Sequence, residues 1–167
     1  MFEFKDLTSK DFPLLHKWLN QDHVAPYYGG KVELQSVVDN YQKKIDSNFI
    51  FPYLVNMNKR PIAFIQTYIA NLVGGGWWED QVEGTWGTDQ FIGDKKYLGQ
   101  GYGSAFLKDF TDKLLNRADV FRVITDPASE NQRAIKSFKK AGFTEEKLIM
   151  TPDGQALLME KLKRSIE

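Results

Sequence analysis

Two aspartates and a run of glycines are the residues of this chain whose types and spacing suit chemistry. Asp89 stands on a predicted strand, Thr85 to Ile92, just ahead of the stretch Leu98-Gly99-Gln100-Gly101-Tyr102-Gly103-Ser104. Asp126 stands at the C-terminal end of the next predicted strand, Val120 to Thr125, where open α/β sheets place ligand sites. Carboxylates so placed suit ammonium groups, held by charge-assisted hydrogen bonds, and one of them suits removal of a proton from a reacting amine. Alternating glycines let a backbone turn tightly and approach a ligand with no Cβ in the way. Successive N–H groups leading into a helix N-terminus suit a phosphate or pyrophosphate; an ordinary glycine-rich strand-to-helix turn is the other reading.

Two nucleotide motifs are excluded. A P-loop ends in Gly-Lys-Ser/Thr, and Gly103-Ser104 has no lysine between its members. A dinucleotide fingerprint opens a fold on its first strand, whereas this loop lies past mid-chain with its third glycine one position early. From Pro61 to Asp94 there is no lysine or arginine, while Glu79, Asp80, Glu83, Asp89 and Asp94 are acidic. On a neutral chain that concentration of negative charge suits a polycationic ligand; a solvated acidic loop is the plainer account of Glu79, Asp80 and Glu83.

The elements that must position these groups fit one domain, residues 1–167. The chain has 22 acidic and 22 basic residues, so its composition marks neither a nucleic-acid binder nor a membrane-surface binder. No apolar run reaches membrane-span length and MFEFKD is not a signal peptide, so a cytoplasmic location is expected. Cysteine is absent, which removes disulfides, thiolate metal sites and a cysteine nucleophile. His16 and His23 are too few and too close for a histidine metal site, and no metal is assigned.

Phe2 to Leu7 reads as an edge strand. Thr8-Ser9-Lys10-Asp11 reads as a capping box before a helix bearing Phe12, Leu15, Trp18 and Leu19, in which His16 is structural. A loop from Asn20 to Lys31 holds Tyr27-Tyr28 and Gly29-Gly30, and a second helix spans Val32 to Ile45. Strands Ile50 to Asn56 and Ile62 to Ala70 flank a turn at Asn58-Lys59-Arg60-Pro61. A helix over Ser104 to Arg117 follows the glycine loop. Ser129 to Gln132 reads as a capping box for a helix that Gly142 closes, and strands Phe143 to Met150 and Gln155 to Leu162 flank Pro152-Asp153-Gly154.

This order resembles the GNAT (GCN5-related) N-acetyltransferases, whose Arg/Gln-x-x-Gly-x-Gly/Ala loop is matched by Gly101 and Gly103 with Leu98 in first position. Asn131 and Ala134 to Phe143 match the family's next helix. A longer ordered set is similar to the aminoglycoside 6′-N-acetyltransferases: Trp18-Leu19-Asn20, His23, Gly29-Gly30, Gly76-Trp77-Trp78-Glu79, Asp89-Gln90, Thr125-Asp126-Pro127, Arg133-Ala134-Ile135 and Thr151-Pro152-Asp153-Gly154. The resemblance implies an α+β GNAT fold, with a central mixed, mostly antiparallel sheet of about seven strands flanked by about four helices.

It implies acetyl-CoA as cofactor and direct transfer of acetyl to the 6′-amine of an aminoglycoside, a small cationic partner, by a monomer or homodimer. Asp89 is the expected base, with Asp126 orienting an amino group of the substrate. Gln90, Phe91, Ile92, Leu98, Gly99, Gln100, Gly101, Tyr102, Gly103, Ser104, Asn131 and Phe138 are the implied cofactor contacts. Tyr28, Gln66, Tyr68, Trp78 and Glu79 are the implied substrate contacts, beside Asp89 and Asp126; for Tyr68, on an alternating strand, a core role is the other reading. Four positions depart from the family: Gly75 replaces an aspartate, Phe138 replaces a tyrosine, and Tyr27-Tyr28 replaces a tryptophan pair. Another amine as acceptor (a polyamine, a siderophore hydroxylamine or a protein N-terminus) and a non-catalytic acyl-CoA sensor are the competing readings.

Overall fold

The computed structural model describes residues 1–73 and 82–165. In chain order they form β1 (Phe2–Asp6), α1 (Phe12–Leu19), α2 (Leu34–Asp46), β2 (Ile50–Met57), β3 (Arg60–Ile69), β4 (Thr85–Ile92), α3 (Tyr102–Leu115), β5 (Arg122–Thr125), α4 (Gln132–Lys140), β6 (Thr144–Thr151) and β7 (Gly154–Leu162). The strands make one seven-stranded sheet in the order β1-β2-β3-β4-β5-β7-β6. β1 and β2 are antiparallel, as are β5 with β7 and β6 with β7, while β4 and β5 run parallel. The α+β class expected from the sequence is the class observed.

Contacts divide the chain into two compact units, the first Met1–Thr67 with Gln90–Tyr102, the second Tyr68–Asp89 with Gly103–Glu167. In the first unit, Phe12, Leu15, Trp18 and Leu19 recur at helical spacing, and α1 buries them with Val37 and Tyr41 of α2 against Leu54, Phe64 and Phe91. The Asp11 carboxylate accepts the Thr8 N–H at 2.9 Å, so the capping box forms. It opens a single 3-10 turn, Ser9–Asp11, and α1 begins only after it. The β2–β3 turn is narrower than the sequence suggested: Asn58 (φ 49°) and Lys59 (φ 63°) make a two-residue left-handed hairpin, and Arg60 and Pro61 already belong to β3.

In the second unit, α3 buries Phe106, Leu107, Phe110, Leu114 and Leu115, and β5 buries Val123 and Ile124. The cap of α4 differs from the expected box at Ser129. Asn131 is the N-cap, its side-chain oxygen accepting the Ala134 N–H at 3.2 Å, while the Ser129 hydroxyl donates to Gln155 Oε1. Asparagine at this place wins because its carbonyl reaches the third amide of the helix. Gly142 (φ 99°) closes α4 in a Schellman turn: the Phe143 N–H reaches the Phe138 carbonyl at 3.0 Å, and Gly142 N–H the Lys139 carbonyl at 3.1 Å. The rings of Phe138 and Phe143 meet edge to face at 5.3 Å, which supplies the hydrophobic contact of that motif. Among the described residues, no helix is long and apolar enough to cross a membrane.

Candidate functional site

The strand β4 organises the candidate residues, because its side chains alternate between two faces. Gly87, Asp89 and Phe91 share one of them, and Gly93 follows in the same alternation just past the strand's end. Two of these positions are glycine for a steric reason. A Cβ at Gly87 would stand 2.2 Å from the ring of Tyr68, and one at Gly93 would stand 1.9 Å from the indole of Trp18. An aromatic ring therefore lies directly on the backbone at each place. Asp89 follows Gly87 on the same face and is part-buried.

In the first unit, Phe91 is 8% exposed and packs against Trp18, Tyr28 and Phe64, with Tyr28 at 4.9 Å between centroids. Its side chain belongs to the core, which leaves the backbone as the part of Phe91 available to a cofactor. The Tyr28 hydroxyl donates to the Gln90 carbonyl at 2.9 Å, and His23 Nε2 lies 2.9 Å from the Ile92 carbonyl. Gln66 is buried at 8% exposure, and its Oε1 accepts from the Lys44 ammonium at 3.2 Å, which itself stands 4.6 Å above the Tyr41 ring.

β4 leads through a 3-10 turn, Lys95–Tyr97, into the glycine loop. Asp94 Oδ1 accepts the Lys96 N–H at 3.1 Å, and the Asp94 carboxylate also pairs with the Lys96 ammonium at 3.4 Å, so its charge is balanced locally. Gly99 (φ 72°) and Gly101 (φ 80°) are left-handed, and nothing lies within 4 Å of where a Cβ would stand on either. The open space and the left-handed turns leave the backbone of this exposed loop accessible to a polyanion ahead of α3. Tyr102 is the first residue of that helix, one turn position earlier than Gly103, and Gly103 and Ser104 follow within its first turn. The ring of Tyr102 packs edge to face on Phe2 and Tyr97, so its contribution to the loop is main-chain.

In the second unit, β4 and β5 run side by side through Thr85↔Arg122, Trp86↔Val123 and Gly87↔Ile124. β5 ends at Thr125, and Asp126 follows at once, part-buried. Asn131 stands at the start of α4, its oxygen committed to the cap. Phe138, 5% exposed, sits in the C-terminal turn of α4 against Phe143. Tyr68, 4% exposed, covers Gly87. Gly75, Trp78 and Glu79 lie outside the described residues, as does Asp80. The hydrogen bonds of His23 and the cation beside Gln66 escaped the sequence reading. A lone histidine and one lysine of a charged helix carry no local signal, since each meets its partner only through the fold.

A family model described as an acetyltransferase (GNAT) domain matches residues 8–151. The aminoglycoside N(6′)-acetyltransferase type 1 of Klebsiella pneumoniae is 32% identical over 166 residues, covering 96% of this chain and 83% of that protein. A solved structure of AAC(6′)-Ib with paromomycin and acetyl-CoA superposes with a TM-score of 0.92 at 32% identity, over 97% of this chain and 93% of that one. Another, of the same enzyme with coenzyme A and kanamycin, also gives 0.92, at 31% identity over 98% and 95%. The chain belongs to the GNAT acetyltransferases and, among them, to the family of the aminoglycoside N(6′)-acetyltransferases.

Proposed function

We propose that this chain transfers the acetyl group of acetyl-CoA to the 6′-amino group of an aminoglycoside, and so confers resistance to it. The observation that carries the reading is the pair Asp89 and Asp126, on the strands before and after the glycine loop, in a chain whose relatives share this reaction in name along nearly its whole length. We take residues 1–167 as a single catalytic domain, cytoplasmic, acting on a small cationic amine.

The residues present fit the cofactor. At Gly99 and Gly101 the left-handed backbone stands open, with no side chain over it, ahead of a long helix, which suits the pyrophosphate. Gln90 adds a buried Oε1 with no hydrogen-bond partner, an acceptor awaiting a donor such as an amide N–H. Backbone groups of Gln90 to Ile92, the loop from Leu98 to Ser104, the N-cap Asn131 and Phe138 of α4 complete the set in this reading. Bound there, acetyl-CoA supplies a thioester whose carbonyl carbon the amine nitrogen attacks, the C–N bond forming as the C–S bond breaks.

An ammonium has no lone pair, so the chain must first take its proton, and Asp89 is the base in this reading. Asp126 holds the same amino group or a neighbouring one by a charge-assisted hydrogen bond. A backbone N–H of β4 near Phe91 stabilises the oxyanion, a contribution on the order of 10²–10³-fold in rate. General-base help is of similar size, roughly 10²–10⁴-fold, so neither effect alone accounts for catalysis. Phe138 has no proton to give. A thiol of pKa about 8.5 leaves tolerably near neutrality as the thiolate, and the second proton that the nitrogen loses on becoming an amide reaches the sulfur through water.

Release of free CoA, followed with a thiol reagent, tests the reading directly, since the chain has no cysteine to react. Saturable turnover with kanamycin or tobramycin is expected, and none with spermidine or a peptide. Turnover confined to spermidine or the peptide would overturn the substrate and keep the transferase. Acetyl-CoA binding without transfer to any amine would leave a sensor.

A further inference from the structure

We propose that His23 and Tyr28 are positioning residues for acetyl transfer, acting together as a two-point latch that holds the reacting stretch of β4 in place. The inference rests on the reading of β4 as the strand along which acetyl-CoA lies.

The latch is carried by a loop that is closed at its base. Asn20 Oδ1 accepts the Val32 N–H at 2.9 Å, and Asn20 Nδ2 donates to the Val32 carbonyl at 3.0 Å, so one side chain pairs with both backbone groups of the residue at the other end. His16 Nε2 also lies 3.0 Å from the Val32 carbonyl. The crest turns back through Gly29 (φ 85°) and Gly30 (φ 87°), with the Gly30 N–H on the Ala25 carbonyl at 2.8 Å. Side chains other than glycine strain in that conformation, so the turn is a committed shape. This is an Ω-loop, fixed at its neck, with Val24, Tyr28 and Val32 packed on the core of the unit.

From its crest two side chains reach β4. The Tyr28 hydroxyl and His23 Nε2 each stand 2.9 Å from a carbonyl, those of Gln90 and Ile92. Because a carbonyl can only accept, His23 carries its proton on Nε2. The two carbonyls are two residues apart, so they point to the same edge of the strand. A strand edge presents acceptors as well as donors. A thioester carbonyl is attracted to donors and repelled by bare carbonyls. Capping both acceptors with protein donors leaves the N–H groups of Gln90 and Ile92, which point to that same edge, as the polar groups that this stretch offers, at a position fixed by the loop. Tyr28 adds its ring on Phe91, so the intervening residue is pinned by packing.

Titration of acetyl-CoA into wild type, Tyr28→Phe, His23→Ala and His23→Gln, with the melting temperature and kcat of each, tests the latch. Tyr28→Phe removes one oxygen and His23→Ala one donor. Each should weaken acetyl-CoA binding and lower kcat, by about tenfold or more, since small misplacements of reacting groups cost up to about 10²-fold. Glutamine carries an N–H at the place of Nε2, so His23→Gln should recover most of both. Unchanged affinity and kcat in variants that only melt earlier would make the two residues merely structural and overturn the proposal. So would a His23→Gln enzyme as impaired as His23→Ala. If wild type binds acetyl-CoA yet acetylates no aminoglycoside, the proposed substrate fails while the titration still decides the latch. If wild type does not bind acetyl-CoA, both fall.

Discussion

Replacing Gly87 by alanine adds one methyl group where the fold has put an aromatic ring. The new Cβ would stand 2.2 Å from Cε2 and Cζ of Tyr68 and 2.5 Å from its hydroxyl oxygen. Carbon atoms in contact sit about 3.5–4.0 Å apart, so the ring must retreat by about an ångström or more. Tyr68 is buried on β3 and has no open side to move into without disturbing its neighbours. Overpacking of this kind costs about 1–3 kcal/mol. At about 2–4 °C per kcal/mol for a chain of this size, the melting temperature should fall by about 2–12 °C. Asp89 is two residues further along the same face, so kcat should fall as well, with acetyl-CoA affinity less affected. The assay is thermal melting of Gly87→Ala in the wild-type background and in Tyr68→Leu, as a double-mutant cycle. A smaller, flexible side chain at position 68 should shrink the cost of the alanine to under about 1 kcal/mol, a coupling well above the threshold for independent sites. The same cost in both backgrounds, or no cost in either, would refute the account of Gly87 as the seat of the Tyr68 ring.

Asp89→Asn keeps the shape of the side chain and removes the base, so kcat should fall roughly 10²–10⁴-fold with acetyl-CoA binding intact, as read by CoA release and titration. Lys44→Met should lower the KM for a polycationic aminoglycoside by about two- to fivefold, because it removes a fixed positive charge from beside Gln66. An unchanged KM would place that lysine outside the substrate's field. Burial works to raise the Asp112 carboxyl, but hydrogen bonds from Lys108 and Lys161, together with their charges, outweigh it and hold it below the usual carboxylate range. A folded value below the unfolded one means that the stabilisation is present at neutral pH and lost as pH falls below about 4. Asp112→Asn should therefore lower the melting temperature at pH 7, with the gap to wild type narrowing as the pH is taken below the usual carboxylate range; a constant gap throughout would contradict the assignment.

Much of this molecule was legible along the chain because its causes are local. The period of Phe12, Leu15, Trp18 and Leu19 marks a helix whatever surrounds it, and Gly142 ends α4 because its left-handed conformation completes a Schellman turn with residues only a few positions away. Asp89 on its strand, Asp126 at the end of the next, and Gly99 and Gly101 between them are likewise a matter of order and spacing. Where two local signals competed, the sequence misled: Ser129 and Asn131 both suit a cap, and only the path of the backbone decides which carbonyl meets the Ala134 N–H. The remainder depends on groups far apart in the chain. That Gly87 must be glycine follows from Tyr68, and that Gly93 must be glycine follows from Trp18. His23 and Tyr28 meet carbonyls 69 and 62 residues away. The rings of Phe91 and Phe138 are buried on Tyr28 and on Phe143, partners that the strand and helix patterns do not name. Pattern along a chain reports the forces between near neighbours; which backbone lies beneath which ring, and which carbonyl is capped from a distant loop, is settled only when the strands are laid side by side.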